Sequence, residues 1–291
     1  MRGSASDGTM GRMKLVPVGL SVMAGLCAVP LILTASGVGA TTSVNTTAGL
    51  KKAKWSSGIT ATYATGSVRM QSNGLPNHPR PKYYAVPDTG VRVPTASTAH
   101  VAKDPTRAQN YDFSIPTTPT YTSTTTDAPL GSIGLMISGS VLFNPYEGDG
   151  STVAMSNNFF LTRGKTKVWF VDTCSGHPTP SPSGQYHYHG LPGCVAAETD
   201  TKTGPSHIIG VAFDGFPIYG KRDINGKVVK VSALDTCNGI TSATPEFPDG
   251  IYHYVLPGTA DKTSSIRCFH GKVDSSLIQQ MPPMRGLPPG R

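Results

Sequence analysis

The chain has 291 residues, long enough to bury a sizeable core, and pairs only 14% charged residues with 33 glycines and 25 prolines. That mixture disfavours long amphipathic helices and points to a mainly β fold, a β-rich single domain with long loops. The formal charge of +8 comes from scattered Lys and Arg without a basic run, which argues against nucleic acid as a partner and leaves attraction to acidic cell-surface polymers.

In chain order, Arg2, Arg12 and Lys14 precede the apolar run "LVPVGLSVMAGLCAVPLILTASGVGA", which closes on the small residues Val38 and Ala40. Residues 1–40 therefore predict a secretory signal peptide. The expected product is secreted, cell-surface or periplasmic, with no stable membrane span after cleavage. An uncleaved anchor is the alternative, since the run is long enough to span.

Residues 41–54, rich in Thr, Ser and Ala, are expected to be a flexible linker, and a β-rich domain is placed over 55–274. "GITATYATGSVRMQS" (58–72) predicts a hairpin, and "SNGLPNHPRPKYY" (72–84) a turn-rich segment carrying His78. "SIPTTPTYTSTTTDAP" (114–129) predicts an extended surface loop. "KVWFVDTC" (167–174) suits a buried strand, and "HIIGVAFDGFPIYG" (207–220) suits two strands about a turn at Asp214-Gly215. "DINGKVVKV" (223–231) carries the Asn-Gly pair of a type I′ hairpin, and "DGIYHYVLPG" (249–258) is a further strand. The Pro-rich tail, 275–291, is expected to be disordered.

An internal repeat runs through this domain. "DTCSG" at Asp172 returns as "DTCNG" at Asp235, and "GQYHYHGLPG" at Gly184 returns as "GIYHYVLPG" at Gly250. With Cys27 inside the signal, Cys174, Cys194, Cys237 and Cys268 remain, and export predicts two disulfides. The repeat suggests Cys174–Cys194 and Cys237–Cys268; pairing across the two units is the alternative.

In a strand, side chains alternate between faces, so His187 and His189 share one face while Tyr186 and Tyr188 share the other. His253 is the repeat counterpart of His187. If the two copies pack about a pseudo-twofold, His187, His189 and His253 converge, with His177 or His78 at the rim. Three neutral imidazoles suit copper or zinc. Against this stands ordinary packing, since half-buried His and Tyr commonly bond backbone carbonyls. Asp214 has two readings, a hairpin turn or a carboxylate that hydrogen-bonds a ligating imidazole from behind.

These stretches resemble the YHYH-domain family of secreted proteins. The resemblance rests on "SNGLPNHP" (72–79), "DTCSGHP" (172–178), "GQYHYHGLPGC" (184–194), "IIGVAFDGFPIYG" (208–220), "LDTCNG" (234–239), "GIYHY" (250–254) and "RCFHG" (267–271), in the family's order. The chain departs from the pattern at "LMISGSVLF", where Ser-Gly stands in place of the family's Asn-Gly. The resemblance implies an exported β-rich domain and places His78, His177, His187, His189, Asp214 and His253 in family motifs, without assigning them roles.

Three functions compete. The first is a secreted metal-binding module that prefers copper to zinc, because thiol-free, imidazole-rich sites suit Cu(II). The second is a metal-dependent hydrolase or oxidase that uses the same histidines with an open coordination position and an acid such as Asp214 as general base. The third is a cell-wall or glycan-binding module that stacks Tyr186, Tyr188, Tyr252 and Tyr254 on sugars.

Overall fold

A computed structural model of the chain describes residues 43–278. The predicted signal peptide and the tail beyond residue 278 lie outside the described residues. The segment expected to be a flexible linker instead carries helix α1 (Thr47–Lys52), and Ser43 bridges Thr120. Leu50 is the cause: its side chain is fully buried, and its carbonyl accepts the Trp55 indole N–H at 2.8 Å. One anchored apolar residue ties a polar segment to the core.

Strands β1 (Ile59–Ala64) and β2 (Ser67–Ser72) form the expected hairpin, turning at Gly66 with φ +77°. Strands β3 (Tyr83–Pro87) and β4 (Ala99–Lys103) form a second one. Strand β5 (Tyr111–Pro116) then joins the free side of β2. Alternation along β2 and β5 buries Val68, Met70, Tyr111, Phe113 and Ile115 on one face. The expected surface loop over 114–129 is therefore only partly a loop. Ile115 and Thr117 are buried, and the short strand β6 (Thr126–Asp127) pairs later in the chain.

Strands β7 (Ser132–Met136) and β8 (Val141–Phe143) begin the central sheet. Strands β9 (Phe160–Arg163) and β10 (Thr166–Trp169) form a separate hairpin. "KVWFVDTC" is thus not one buried strand. In a two-stranded ribbon alternate side chains face water, so Trp169 is 41% exposed, and the buried Phe170 and Val171 follow the strand's end. Then come β11 (Gly176–Pro178), β12 (Tyr186–Tyr188), helix α2 (Gly193–Thr199), β13 (Ile208–Ala212), β14 (Pro217–Tyr219), β15 (Gly239–Ser242) and β16 (Ile251–Val255). Strand β17 (Cys268–Phe269) pairs with β6.

Eight strands form one sheet in the order β11-β12-β8-β7-β13-β14-β16-β15. The order is its own mirror in the repeat, because β15 and β16 stand for β11 and β12, and β14 and β13 stand for β8 and β7. The central pair β7–β13 is antiparallel, with Leu135 opposite Val211, while β8–β12 and β14–β16 are parallel. A pseudo-twofold axis therefore passes beside Leu135 and Val211. The repeat extends beyond what the two short motifs announce. Hairpins β7–β8 and β13–β14 turn at Ser138-Gly139 and Asp214-Gly215, with glycine φ of +104° and +90°. The turns that follow carry Gly150 and Gly226 at φ +74° and +75°.

The second of those turns corrects the type I′ expectation. Asn225 keeps a negative φ, and only one bridge, Arg222 to Val228, forms. Asp223 accepts the Asn225 and Lys227 N–H groups at 2.9 Å each, which fixes a type I turn closed by a glycine bulge.

Both faces of the central sheet are covered. On one, β2 and β5 pack Met70, Phe113 and Ile115 against Leu135, Val211 and Phe213. On the other, Tyr186, Tyr188, Tyr252 and Tyr254 pack with Tyr84, Val195 and Phe269. The disulfides pair within each repeat, Cys174–Cys194 and Cys237–Cys268, with Cα–Cα distances of 5.5 and 4.7 Å. The mainly β class, the repeat and both pairings are as the sequence led one to expect. Of the tail expected to be disordered over 275–291, the described part reaches residue 278, and there Leu277, in a short 3-10 turn, is buried.

Candidate metal centre

The site begins with an aspartate turn. Asp172 Oδ1 accepts the N–H groups of Cys174 (2.8 Å) and Gly176 (3.3 Å), while Ser175 takes φ +62°. This turn launches β11, whose register on β12 sets His177 directly across from His187. On the opposite side, β8 pairs with β12 and places Val141 beside His187. The Cys174–Cys194 bridge closes the unit.

The tyrosine face of β12 is used up by the frame. Tyr186 and Tyr84 both donate to Asp172 Oδ2 at 2.8 Å. The Tyr188 hydroxyl lies 2.9 Å from Ser138 Oγ and 2.8 Å from His78 Nε2. Tyr186, Tyr188, Tyr252 and Tyr254 are all buried, so the expectation that they stack on sugars is overturned.

The histidine face is different. His177, His187 and His189 are 6%, 3% and 3% exposed, and one ligand atom of each lies within 4.8 Å of the others. His187 Nδ1 donates to the Gln185 carbonyl at 3.1 Å, and His189 Nδ1 donates to the Asn144 carbonyl at 2.8 Å. A carbonyl only accepts, so each Nδ1 carries a proton. Burial, reinforced by the other imidazoles, drives His177 and His187 well below the ordinary histidine range; burial lowers His189 to about 4. Neutral rings with protonated Nδ1 have bare Nε2 atoms. The Nε2 atoms of His187 and His189 face each other at 3.0 Å. A cation held between them would satisfy both lone pairs. Both ring nitrogens of His177 are buried without a hydrogen-bond partner, so this ring too is free to ligate. Backbone carbonyls that orient ligating imidazoles are the usual support of such sites. The residues present fit a metal ion.

Phe143 stacks on His187 at 3.9 Å between centroids, and Phe170 meets His177 edge-on at 4.2 Å. These rings belong to a pocket of about 380 Å³ whose lining also includes the three histidines and Glu147. Glu147 is 7% exposed, its Oε1 has no hydrogen-bond partner, and burial pushes its carboxyl up to about 7. Nothing in the sequence reading had singled out Glu147.

The other candidates lie elsewhere. His253 does not join the cluster. Its Nδ1 donates to the Ile251 carbonyl at 3.0 Å, and its ring meets Tyr219 edge-on at 4.9 Å. Its cross-strand neighbour is Ile240 where His187 has His177, and Val255 stands in place of His189. Four strands separate β12 from β16, roughly 24 Å at the usual strand spacing. The repeated units share one sheet instead of packing face to face, which is why the expected convergence of His187 with His253 fails. His78 sits on the tyrosine side, its Nδ1 3.0 Å from the Pro79 carbonyl, beside cysteines already consumed in a disulfide. Asp214 accepts from the Tyr254 hydroxyl (2.6 Å) and the N–H groups of Gly271 (3.0 Å) and Phe216 (3.3 Å). None of these partners is an imidazole, so the turn reading of Asp214 stands and the reading that puts it behind a ligating imidazole does not.

No curated protein and no solved structure is similar to the chain. The family described as YHYH protein matches residues 112–233 and 224–271, a span that takes in both copies of the repeat, the histidine cluster and both aspartate turns. The chain therefore belongs to the YHYH family.

Proposed function

We propose that the protein is an exported metal-binding protein that holds one transition-metal ion on His187 Nε2, His189 Nε2 and a ring nitrogen of His177. The observation that carries this reading is the 3.0 Å approach of two Nε2 atoms whose Nδ1 partners both donate to carbonyls. Copper is preferred to zinc. Two nitrogens 3.0 Å apart, each about 2.0–2.1 Å from a common ion, subtend close to a right angle. Tetragonal Cu(II) favours that angle, and a tetrahedral zinc site does not. Export is supported by two disulfides in the described residues and by the signal-like run before Thr41.

Elemental analysis of untagged protein, after dialysis against equal copper and zinc, tests the reading. The expected result is one ion per chain, mostly copper, with an electron paramagnetic resonance spectrum showing nitrogen ligation. Protein that retains no ion from either metal would overturn it.

A further inference from the structure

The two halves treat equivalent acidic residues differently. In the second half, the turn after β14 is capped by Asp223, whose carboxylate accepts two backbone N–H groups. In the first half, Glu147 holds the matching place: its N–H bonds the Thr152 carbonyl, as that of Asp223 bonds Lys227. The capping task there has passed to Asp149, which accepts from the N–H groups of Ser151 (3.0 Å) and Thr152 (2.9 Å). Glu147 is thereby released from the turn, and its buried side chain lines the pocket, with Asn157 hydrogen-bonded to the carboxyl and Oε1 without a hydrogen bond. A buried acceptor without a donor is costly unless something supplies one.

The pocket itself belongs to the first half alone. It measures about 380 Å³, within the range that holds small molecules. The cleft at the corresponding place beside His253 measures about 10 Å³. Besides the histidines, Glu147 and Arg92, much of the lining is apolar and rigid, with Phe143, Phe170, Pro87, Pro94, Pro178 and Pro180. Such walls take a planar ring.

We infer that this pocket binds a small planar aromatic molecule bearing hydroxyl groups, one oxygen reaching the ion on the three histidines and one O–H donating to the Glu147 carboxyl. The inference rests on the metal reading above and extends it to the ligand class. Glu147 orients the ligand and leaves the ion to the imidazoles.

The probe is 4-nitrocatechol, whose visible absorption shifts when its oxygens meet a metal. It is titrated into the ion-loaded, untagged full chain, and the ion content of every sample is measured separately after gel filtration. The expected result is saturable binding at one probe per chain, with 4-nitroanisole, which lacks hydroxyl groups, failing to compete. Glu147→Gln and Glu147→Ala should each weaken the probe at least about tenfold at unchanged ion content, the loss of one buried hydrogen bond. Asp223→Asn should bind it as the unaltered protein does. Glu147 variants that bind the probe normally would overturn the inference, and so would variants that lose the ion, because Glu147 would then be a ligand to it. Unaltered protein without any ion would refute the metal reading first, by a measurement independent of the probe.

Discussion

The two halves of the central sheet share a frame and differ in what the frame carries. Asp172 and Asp235 each accept from the residues two and four further on, and each takes a tyrosine hydroxyl, Tyr186 at 2.8 Å and Tyr252 at 2.9 Å. Tyr188 meets Ser138, and Tyr254 meets Asp214, at equivalent turns. Phe143 packs on His187, and Tyr219 packs on His253. Against this sameness, His177 and His189 have become Ile240 and Val255. The exchange lies on one face of two strands. The interactions that hold the fold are duplicated, whereas the cluster of three buried imidazoles occurs in one half. Duplicated contacts thus mark the scaffold, and unduplicated polar groups mark the site.

The sharpest way to break this comparison is to mutate equivalent histidines. His187→Ala should lower ion affinity about 1,000-fold, beyond the roughly 10–100-fold that an outer partner of a ligand is worth. His253→Ala should leave ion content unchanged and lower only the melting temperature. Equal loss of ion in both variants would erase the distinction between the halves.

The disulfides give the next largest effect. Replacing either pair by serine should cost about 3 kcal/mol, since the bridges close loops of similar size, 20 and 31 residues. Only loss of Cys174–Cys194 should also weaken the ion, because that bridge brackets β11 and β12. Chemical denaturation and ion titration on the two double variants would separate these outcomes.

Of the two equivalent hairpin turns, only the one in the second half should carry a pH dependence. Burial raises Asp214 from 3.8 to about 6, while its counterpart Ser138 does not ionise in this range. The folded state therefore holds a proton on Asp214 where the unfolded chain has released it. Its stabilising contribution is fully present below about pH 3.8 and is lost as pH rises through 6, about 2–3 kcal/mol in total. Asp214→Asn should flatten that part of the stability curve between pH 4 and 7, as measured by denaturant melts. Parallel curves for both proteins would count against it.

The smallest effect compares the residues that end the aspartate turns. Ser175 and Asn238 both have positive φ, 62° and 70°. Ser175→Gly should gain roughly 0.5 kcal/mol, because relief of a left-handed serine exceeds the added freedom of the unfolded chain. Asn238→Gly should instead lose about 1 kcal/mol, because the Asn238 side chain donates to the Thr263 carbonyl at 2.5 Å. Thermal melts of the two variants should move in opposite directions.

Much of the frame was legible in the sequence because it is written twice. "DTC" and "YHY" give the repeat, and the repeat gives both disulfide pairings. Alternation along a strand correctly set His187 and His189 on one face. What it could not give was the place of the second copy. Equivalent faces meet when duplicated units stack, but here they extend a single sheet, and β12 and β16 end up far apart. The third histidine comes instead from β11, whose pairing with β12 depends on a hairpin that no short-range signal announces; the "SGHP" stretch three residues past Cys174 was the available hint. Glu147 was hidden for another reason. Its meaning appears only when "YEGDG" is laid on "RDING" and the carboxylate that caps each turn is identified. The buried strand expected at "KVWFVDTC" failed because apolar content alone cannot tell a strand from the chain that follows it.

The antiparallel contact of β7 with β13 has one more consequence. A chain holding only the first copy would leave β7 as an open edge of three paired positions, Gly134, Leu135 and Met136. The surface shaped to cover that edge is a half-turn rotation of the same unit. The single chain thus contains, fused within itself, the isologous interface of a symmetric dimer. Once both subunits are on one chain, either can lose its ligands without costing the assembly its partner.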